Sequence, residues 1–359
     1  MSGIGIRCDA GVQSGLGHLV RCVALAEELC ARGMDVCFLG NLAGSPWART
    51  QLLERGLPLV PAPDRPDRLA GLVRDLGLGA VVLDSYELAP GTGAAIRATG
   101  AAVLAIVDGD PLGQEADLYL DQNLGAELRA FPMAGERLAG ARYVLLRDSV
   151  REVREVREVR EVREVREVRE PAGDLSAGGR GGFGQVIRPS AEHGRRGLGS
   201  GVPRVLCCFG GTDSAGVAPA WTRALLDTGL PFSATVITPR KFRIDGPVTV
   251  IPPTDRLPQL MAEADLVVSA AGSTVWELLY LGVPTALTWV AANQLVGYEP
   301  LVRDGIAAGL GPEADPAATE TLARLLADAG LCEKYGRRGS GLIDGRGRER
   351  VADALLTLL

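Results

Sequence analysis

Histidine is scarce in this chain: 359 residues hold two, His18 and His193. Neither lies in a cluster with cysteine or carboxylate at ligand spacing, so a dedicated metal site is not expected. The seven cysteines (Cys8, Cys22, Cys30, Cys37, Cys207, Cys208 and Cys332) form no C-x-x-C pair, and their number is odd. Most sit among apolar neighbours and read as small core residues of a reducing compartment. No apolar run approaches the roughly 20 residues of a membrane span. The opening residues also lack the basic segment and apolar core of a secretory signal, so a cytoplasmic protein is expected. The net charge of −6 supplies no basic surface for nucleic acid. It does not exclude a nucleotide, whose phosphates can be held by backbone amides rather than bulk charge.

With 47% hydrophobic residues, the chain is long enough for two cored domains. From residue 1 to 150, strand patterns at Ile4–Cys8, Asp35–Leu39, Ala80–Leu83, Ala102–Val107 and Ala116–Leu120 alternate with helical ones. The helical patterns are His18–Arg32, Ala48–Arg55, Arg65–Leu76 and Thr92–Thr99. From 203 to 359 the alternation resumes, and the pattern Arg348–Leu359 predicts a closing helix. Strands alternating with helices at this spacing predict parallel sheets covered on both faces. The expected fold class is therefore α/β, with two doubly wound, Rossmann-like domains and a cleft between them.

Residues 151–202 break the pattern. Arg-Glu-Val repeats from 151, ending at Arg169-Glu170, and a stretch rich in Gly, Ser, Arg and Pro follows. A period of three does not match 3.6, so the valines wind around a helix and leave no face to bury. A low-complexity insertion and flexible linker are expected there, with His193 solvated and inert.

Four short segments carry chemistry. Gly15-Leu16-Gly17-His18 lies between a strand and a helix, where an α/β protein presents backbone amides and a side chain to a ligand. A histidine there can act as a general base or simply pack at the helix start. A dinucleotide fingerprint is disfavoured, because Val20 holds the third glycine place and no acid ends the second strand. In Cys208-Phe209-Gly210-Gly211-Thr212-Asp213, the glycines permit close approach of a ligand, and Thr212 or Asp213 can cap the next helix. In Ala271-Gly272-Ser273-Thr274-Val275-Trp276-Glu277, Gly272, Ser273 and Thr274 suit a pyrophosphate, and Glu277 can accept the two hydroxyls of a ribose. Ser273 as a helix cap is compatible with that reading. Asn293-Gln294 offers two amides for neutral polar recognition.

The combination resembles the PseG/SpsG family, which contains the UDP-sugar hydrolase of pseudaminic acid biosynthesis and related spore-coat polysaccharide proteins. The likeness rests on Arg7-Cys8-Asp9, Gly15-Leu16-Gly17-His18, Arg21-Cys22, Asp84-Ser85-Tyr86, Val107-Asp108, Asp121-Gln122-Asn123 and Tyr143 to Arg147. It continues through Gly210 to Asp213, Ala271 to Glu277, Asn293-Gln294 and Ile343 to Gly347 with Arg350. The resemblance implies a GT-B architecture similar to the MurG type of glycosyltransferase, a UDP-sugar substrate, and neither metal nor cofactor. It implies His18 as the catalytic residue, activating water at the anomeric carbon and releasing UDP with inversion. The substrate-binding set it implies is Asp9, Gly17, Arg21 and Tyr86 on the first domain. On the second domain it is Gly211, Thr212, Gly272, Ser273, Thr274, Glu277, Asn293 and Gln294. An inverting glycosyltransferase with the same UDP site, or a non-catalytic nucleotide-sugar-binding scaffold, are the alternatives. Two departures bear on the sugar: Ser85 stands where the family often has histidine, and Gly109 separates Asp108 from Asp110.

Overall fold

The computed structural model describes residues 3–8, 16–42, 45–169 and 201–359. The first half is a seven-stranded sheet: β1 (Gly3–Cys8), β2 (Val36–Leu39), β3 (Leu59–Val60), β4 (Leu78–Asp84), β5 (Ala102–Ile106), β6 (Leu118–Asp121) and β7 (Glu136–Ala139). The second half is a six-stranded sheet: β8 (Arg204–Cys208), β9 (Ser233–Ile237), β10 (Val248–Ile251), β11 (Leu266–Ala270), β12 (Thr285–Thr288) and β13 (Ala308–Gly311). Every pairing is parallel. These are the two doubly wound sheets expected. The short strands β3 and β7 escaped the sequence reading: two residues carry no period, and Glu136-Arg137-Leu138-Ala139 lies at a sheet edge with one buried side chain.

The strand orders locate the ligand crevice. The first sheet runs β3-β2-β1-β4-β5-β6-β7 and the second β10-β9-β8-β11-β12-β13. In each, the order reverses between the first and fourth strands of that half. The connections diverge there and open a crevice beyond the carboxyl ends of the strands. β1 and β4 flank the first switch point, and β8 and β11 flank the second.

The chain crosses between the halves twice, and both crossings revise the expected division. Helix Gly347–Leu356, expected on the second domain, places Val351, Ala352 and Leu355 in the core of the first, in one cluster with Leu25 and Leu29. In return, Val144, Leu146 and Val150 belong to the core of the second half.

The second correction concerns the Arg-Glu-Val repeat. It is helical from Asp148 to Arg169, and its first turns do bury a face. Val150 is fully buried and Val153 packs on the same core. The guanidinium of Arg154 lies 4.4 Å from the Tyr280 ring centroid and donates to the Tyr280 carbonyl at 2.9 Å. Arg157 donates to the carbonyl of Leu281, and Arg151 pairs with Glu349. The period-three argument applies further out, where Val156 and Val159 are exposed. It failed at the start because the helix begins at Asp148, ahead of the repeat, with Val150 already anchored. His193 and the linker residues 171–200 lie outside the described residues.

Candidate active site

Helix Gly17–Ala31 follows β1, and Leu16 at its start supplies no side-chain cap. His18 therefore stands on the first turn beside uncapped backbone amides, at the first switch point. Asp84 is the last residue of β4, on the other side of that point, and is fully buried. His18 Nδ1 lies 2.5 Å from Asp84 Oδ1. A carboxylate only accepts, so Nδ1 carries a proton, and in the neutral ring Nε2 is the acceptor.

Arg21, one turn after His18, grips Asp84 twice, from Nε at 2.7 Å and Nη2 at 2.6 Å. It also reaches Asp108 at 3.3 Å. Asp108 accepts from Asn123 Nδ2 at 2.9 Å and from the Tyr86 hydroxyl. The Tyr86 ring meets His18 edge-on, with centroids 4.6 Å apart. One guanidinium, Arg21, faces two carboxylates, Asp84 and Asp108, so with a neutral His18 the group carries one net negative charge, which an imidazolium would offset. Burial works against the Asp84 and Asp108 carboxylates, but Arg21 outweighs it and holds both below the usual carboxylate range. Hydrogen bonds from His18 to Asp84, and from Tyr86 and Asn123 to Asp108, act in the same direction. The same two charges keep Arg21 firmly protonated despite its burial. Burial and the neighbouring Asp108 charge push the Tyr86 phenol upward, so it remains a donor.

The second half contributes different groups. After β8 come Gly210 and Gly211, with Gly210 at φ +76°. After β11 come Gly272, Ser273 and Thr274, leading into helix Thr274–Tyr280. Ser273 holds the cap position without making a side-chain cap bond, so its hydroxyl is not spent on the helix. Asp213 does take the structural role: its carboxylate accepts from the Val217 amide and the Thr238 hydroxyl. Thr212 is left at the cleft wall. Gln294 Oε1 accepts from the Val290 amide at 2.9 Å, which fixes the orientation of its side-chain amide.

The two sets face each other across one cleft of about 670 Å³. Gly17, His18, Arg21 and Tyr86 line it from the first half. Gly211, Thr212, Gly272, Ser273, Thr274, Glu277, Asn293 and Gln294 line it from the second. The remaining expected residue, Asp9, lies outside the described residues. The halves approach closely: a methyl group on Gly17 would stand 2.8 Å from Ser273 Oγ, and one on Gly211 would stand 2.4 Å from Leu16 Cδ1. Among the described residues, no group of three or more His, Cys, Asp or Glu side chains could hold a metal ion. Cys208 reaches the cleft, but burial pushes its thiol up to about 12, which removes it as a nucleophile.

Sequence reasoning used Asp84, Asp108, Asn123 and Arg147 only as part of the family likeness, with Asp108 bearing on the sugar, and placed none of them among the site residues. The first two carried a legible signal, an acid at or just beyond the end of an apolar strand. Arg147 carried none, and its partner, Glu277, lies 130 positions away.

Residues 236–292 match the glycosyltransferase family 28 C-terminal domain, a stretch that includes the Gly272–Glu277 turn. An uncharacterised protein of Methanocaldococcus jannaschii is 19% identical over 319 residues, covering 84% of this chain and 58% of that protein. The chain thus spans a little over half the length of the curated relative it matches. Among solved structures, MurG of Acinetobacter baumannii superposes with a TM-score of 0.64 at 16% identity, covering 99% of this chain and all of that one. A UDP-GlcNAc 2-epimerase of Neisseria meningitidis, bound to UDP-GlcNAc, gives 0.59 at 12% identity, covering 99% and 100%. Helices long and apolar enough to cross a membrane are absent among the described residues. The likenesses are of fold: the chain has two Rossmann-like domains in the arrangement of the GT-B glycosyltransferases.

Proposed function

We propose that this protein is a UDP-sugar hydrolase in which His18 activates water for attack at the anomeric carbon, serving the biosynthesis of a surface polysaccharide or modified sugar. The observation that carries the reading is the His18–Asp84 pair, at 2.5 Å, on the cleft wall facing the Gly272–Glu277 turn. Asp84 fixes the ring and its tautomer, so Nε2 takes the proton of the attacking water. The ring thereby becomes an imidazolium, which Asp84 at Nδ1 stabilises. Amides and hydroxyls of Gly272, Ser273 and Thr274 hold the diphosphate in the substrate and in the departing UDP alike. Glu277 receives the ribose, while Asn293 and Gln294 meet the diphosphate and sugar. Tyr86, presented as a donor by Asp108, borders the sugar together with Arg21 and Gly17. Gly211 and Thr212 complete the nucleotide side.

Water as acceptor is favoured by size. A cleft of about 670 Å³ falls within the range of roughly 300–1,000 Å³ that holds one small ligand. The halves are already in near contact at Gly17 and Gly211. A second reading, an inverting glycosyltransferase in which His18 deprotonates a sugar hydroxyl, draws on the family 28 C-terminal match. The two part on acceptor dependence. Incubation with a panel of UDP-sugars, with CMP- and dTDP-sugars as controls, is expected to release UDP with no acceptor present. Release only after an acceptor is added refutes hydrolysis in favour of transfer.

A further inference from the structure

Arg147 and Glu277 form a buried pair inside the cleft that the reaction, as described, leaves without a task for Arg147. Arg147 Nε donates to Glu277 Oε1 at 2.9 Å and Nη2 to Oε2 at 3.0 Å. Both side chains are more than nine-tenths buried, and both line the cleft. Arg147 belongs to the connection just ahead of helix Asp148–Arg169, and Glu277 to helix Thr274–Tyr280. The pair therefore ties the end of the first half to the nucleotide side of the second.

We infer that Arg147 is a positioning residue, one that fixes the Glu277 carboxylate as a two-point acceptor and so selects ribonucleotides over 2′-deoxyribonucleotides. The inference rests on the UDP reading above. An ionised carboxylate has about four acceptor positions, two on each oxygen. The Arg147 fork occupies both oxygens from one side and sets the plane of the group. One acceptor position on each oxygen is left, at fixed spacing, for two neighbouring hydroxyls. A lone glutamate in the same place could rotate to satisfy one hydroxyl, and loss of the other would then cost little. Held in place, it cannot follow a nucleotide that lacks its 2′-hydroxyl, and a buried acceptor stays unsatisfied. The planar, two-toothed geometry is specific to arginine. Lysine keeps the charge but makes a single-point contact.

The test is calorimetric titration of UDP and 2′-deoxy-UDP into the full chain and into Arg147→Lys and Arg147→Gln. Two variants are used so that misfolding of one, seen in its melting curve, leaves the other to decide. The full chain is expected to prefer UDP by about tenfold or more, the size of one hydrogen bond to a charged group. In a folded variant the preference is expected to fall to about threefold or less. The preference should narrow because UDP binds more weakly while 2′-deoxy-UDP, relieved of the unsatisfied acceptor, binds as tightly as to the parent or more tightly. A variant that keeps the full preference, or weakens both nucleotides equally, overturns the positioning role and leaves Arg147 a structural strut. Equal binding of the two nucleotides by the unaltered chain removes the ribose contact itself, and the role of Arg147 with it. No UDP binding at all refutes the nucleotide reading, which distinguishes that failure from the other two.

Discussion

The two walls of the cleft are made of different materials. The first half contributes a charged cluster: buried His18, Arg21 and Asp84, with half-buried Asp108 and exposed Tyr86 attached. The second contributes glycine, hydroxyl and amide groups, and its buried charge at the wall, Glu277, is neutralised by Arg147 from the connection between the halves. Both walls arise from the same sheet topology at the same kind of switch point. Topology thus decides where a ligand lies, and the residues at the strand ends decide what happens to it. A rigid charged cluster suits proton transfer, because the ring is held and its charged form is compensated beforehand. A wall of backbone amides and small polar side chains suits holding a phosphate without altering its reactivity.

Substitutions on the two walls should therefore separate turnover from binding. His18→Ala is expected to lower UDP release by about 10²–10⁴-fold, with the Kd for UDP within about threefold of the parent by titration. Asp84→Asn should approach that loss to within about tenfold, because an amide no longer selects the Nδ1–H tautomer. Across the cleft, Ser273→Ala is expected to weaken UDP binding about tenfold or more, one hydrogen bond to a charged diphosphate oxygen. Its kcat should stay within about twofold. A large fall in kcat for Ser273→Ala, or a large rise in Kd for His18→Ala, breaks the division of labour.

The contrast extends to stability. Asp84 is held below its ordinary carboxylate range, so its pairing contributes stability above the unfolded value near ~3.9. That contribution is lost as pH falls through the lower folded value. Asp84→Asn should destabilise the chain by about 3–5 kcal/mol at neutral pH, and melting curves of the two proteins should begin to approach each other below about pH 4 and meet only below the lower folded value. Gly347→Ala probes the crossing helix: a methyl there would meet the Val144 carbonyl oxygen at 2.2 Å, and backbone cannot move aside cheaply. A loss of about 1–3 kcal/mol is expected in denaturant unfolding. The smallest effect is reserved for the repeat. Removing residues 160–169 should leave UDP release within about twofold, because shortening a connection changes closure entropy little. Removing 151–157, which contact Glu349, Tyr280 and Leu281, should cost measurable stability.

Much of this architecture is legible in the residues themselves. The strands of the second half are apolar runs ending in Gly210-Gly211, in Gly272-Ser273 and shortly before Asn293-Gln294, and hydropathy alone aligns them with the strand ends. His18 could be placed at a strand-to-helix turn for the same reason. What the residues did not reveal was pairing at long range. Glu277 reads as an acid favoured in a first helical turn, and nothing local announces that Arg147 will hold it. The crossing of helix Gly347–Leu356 was equally hidden, because an amphipathic stripe states that a helix will be buried and not against which domain. The repeat misled in the opposite sense. Its period was read correctly, but burial of the first turns depends on Val150 and on the carbonyls of Tyr280 and Leu281, which no period records.

The central claim is attack by water on the anomeric carbon, assisted by His18. Running the reaction in H2¹⁸O without an acceptor and weighing both products tests it most directly. The account expects one ¹⁸O in the released sugar, none in UDP, and loss of both products in His18→Ala. Label in UDP would mean attack at phosphorus, and no products without an acceptor would mean transfer; either result contradicts the account.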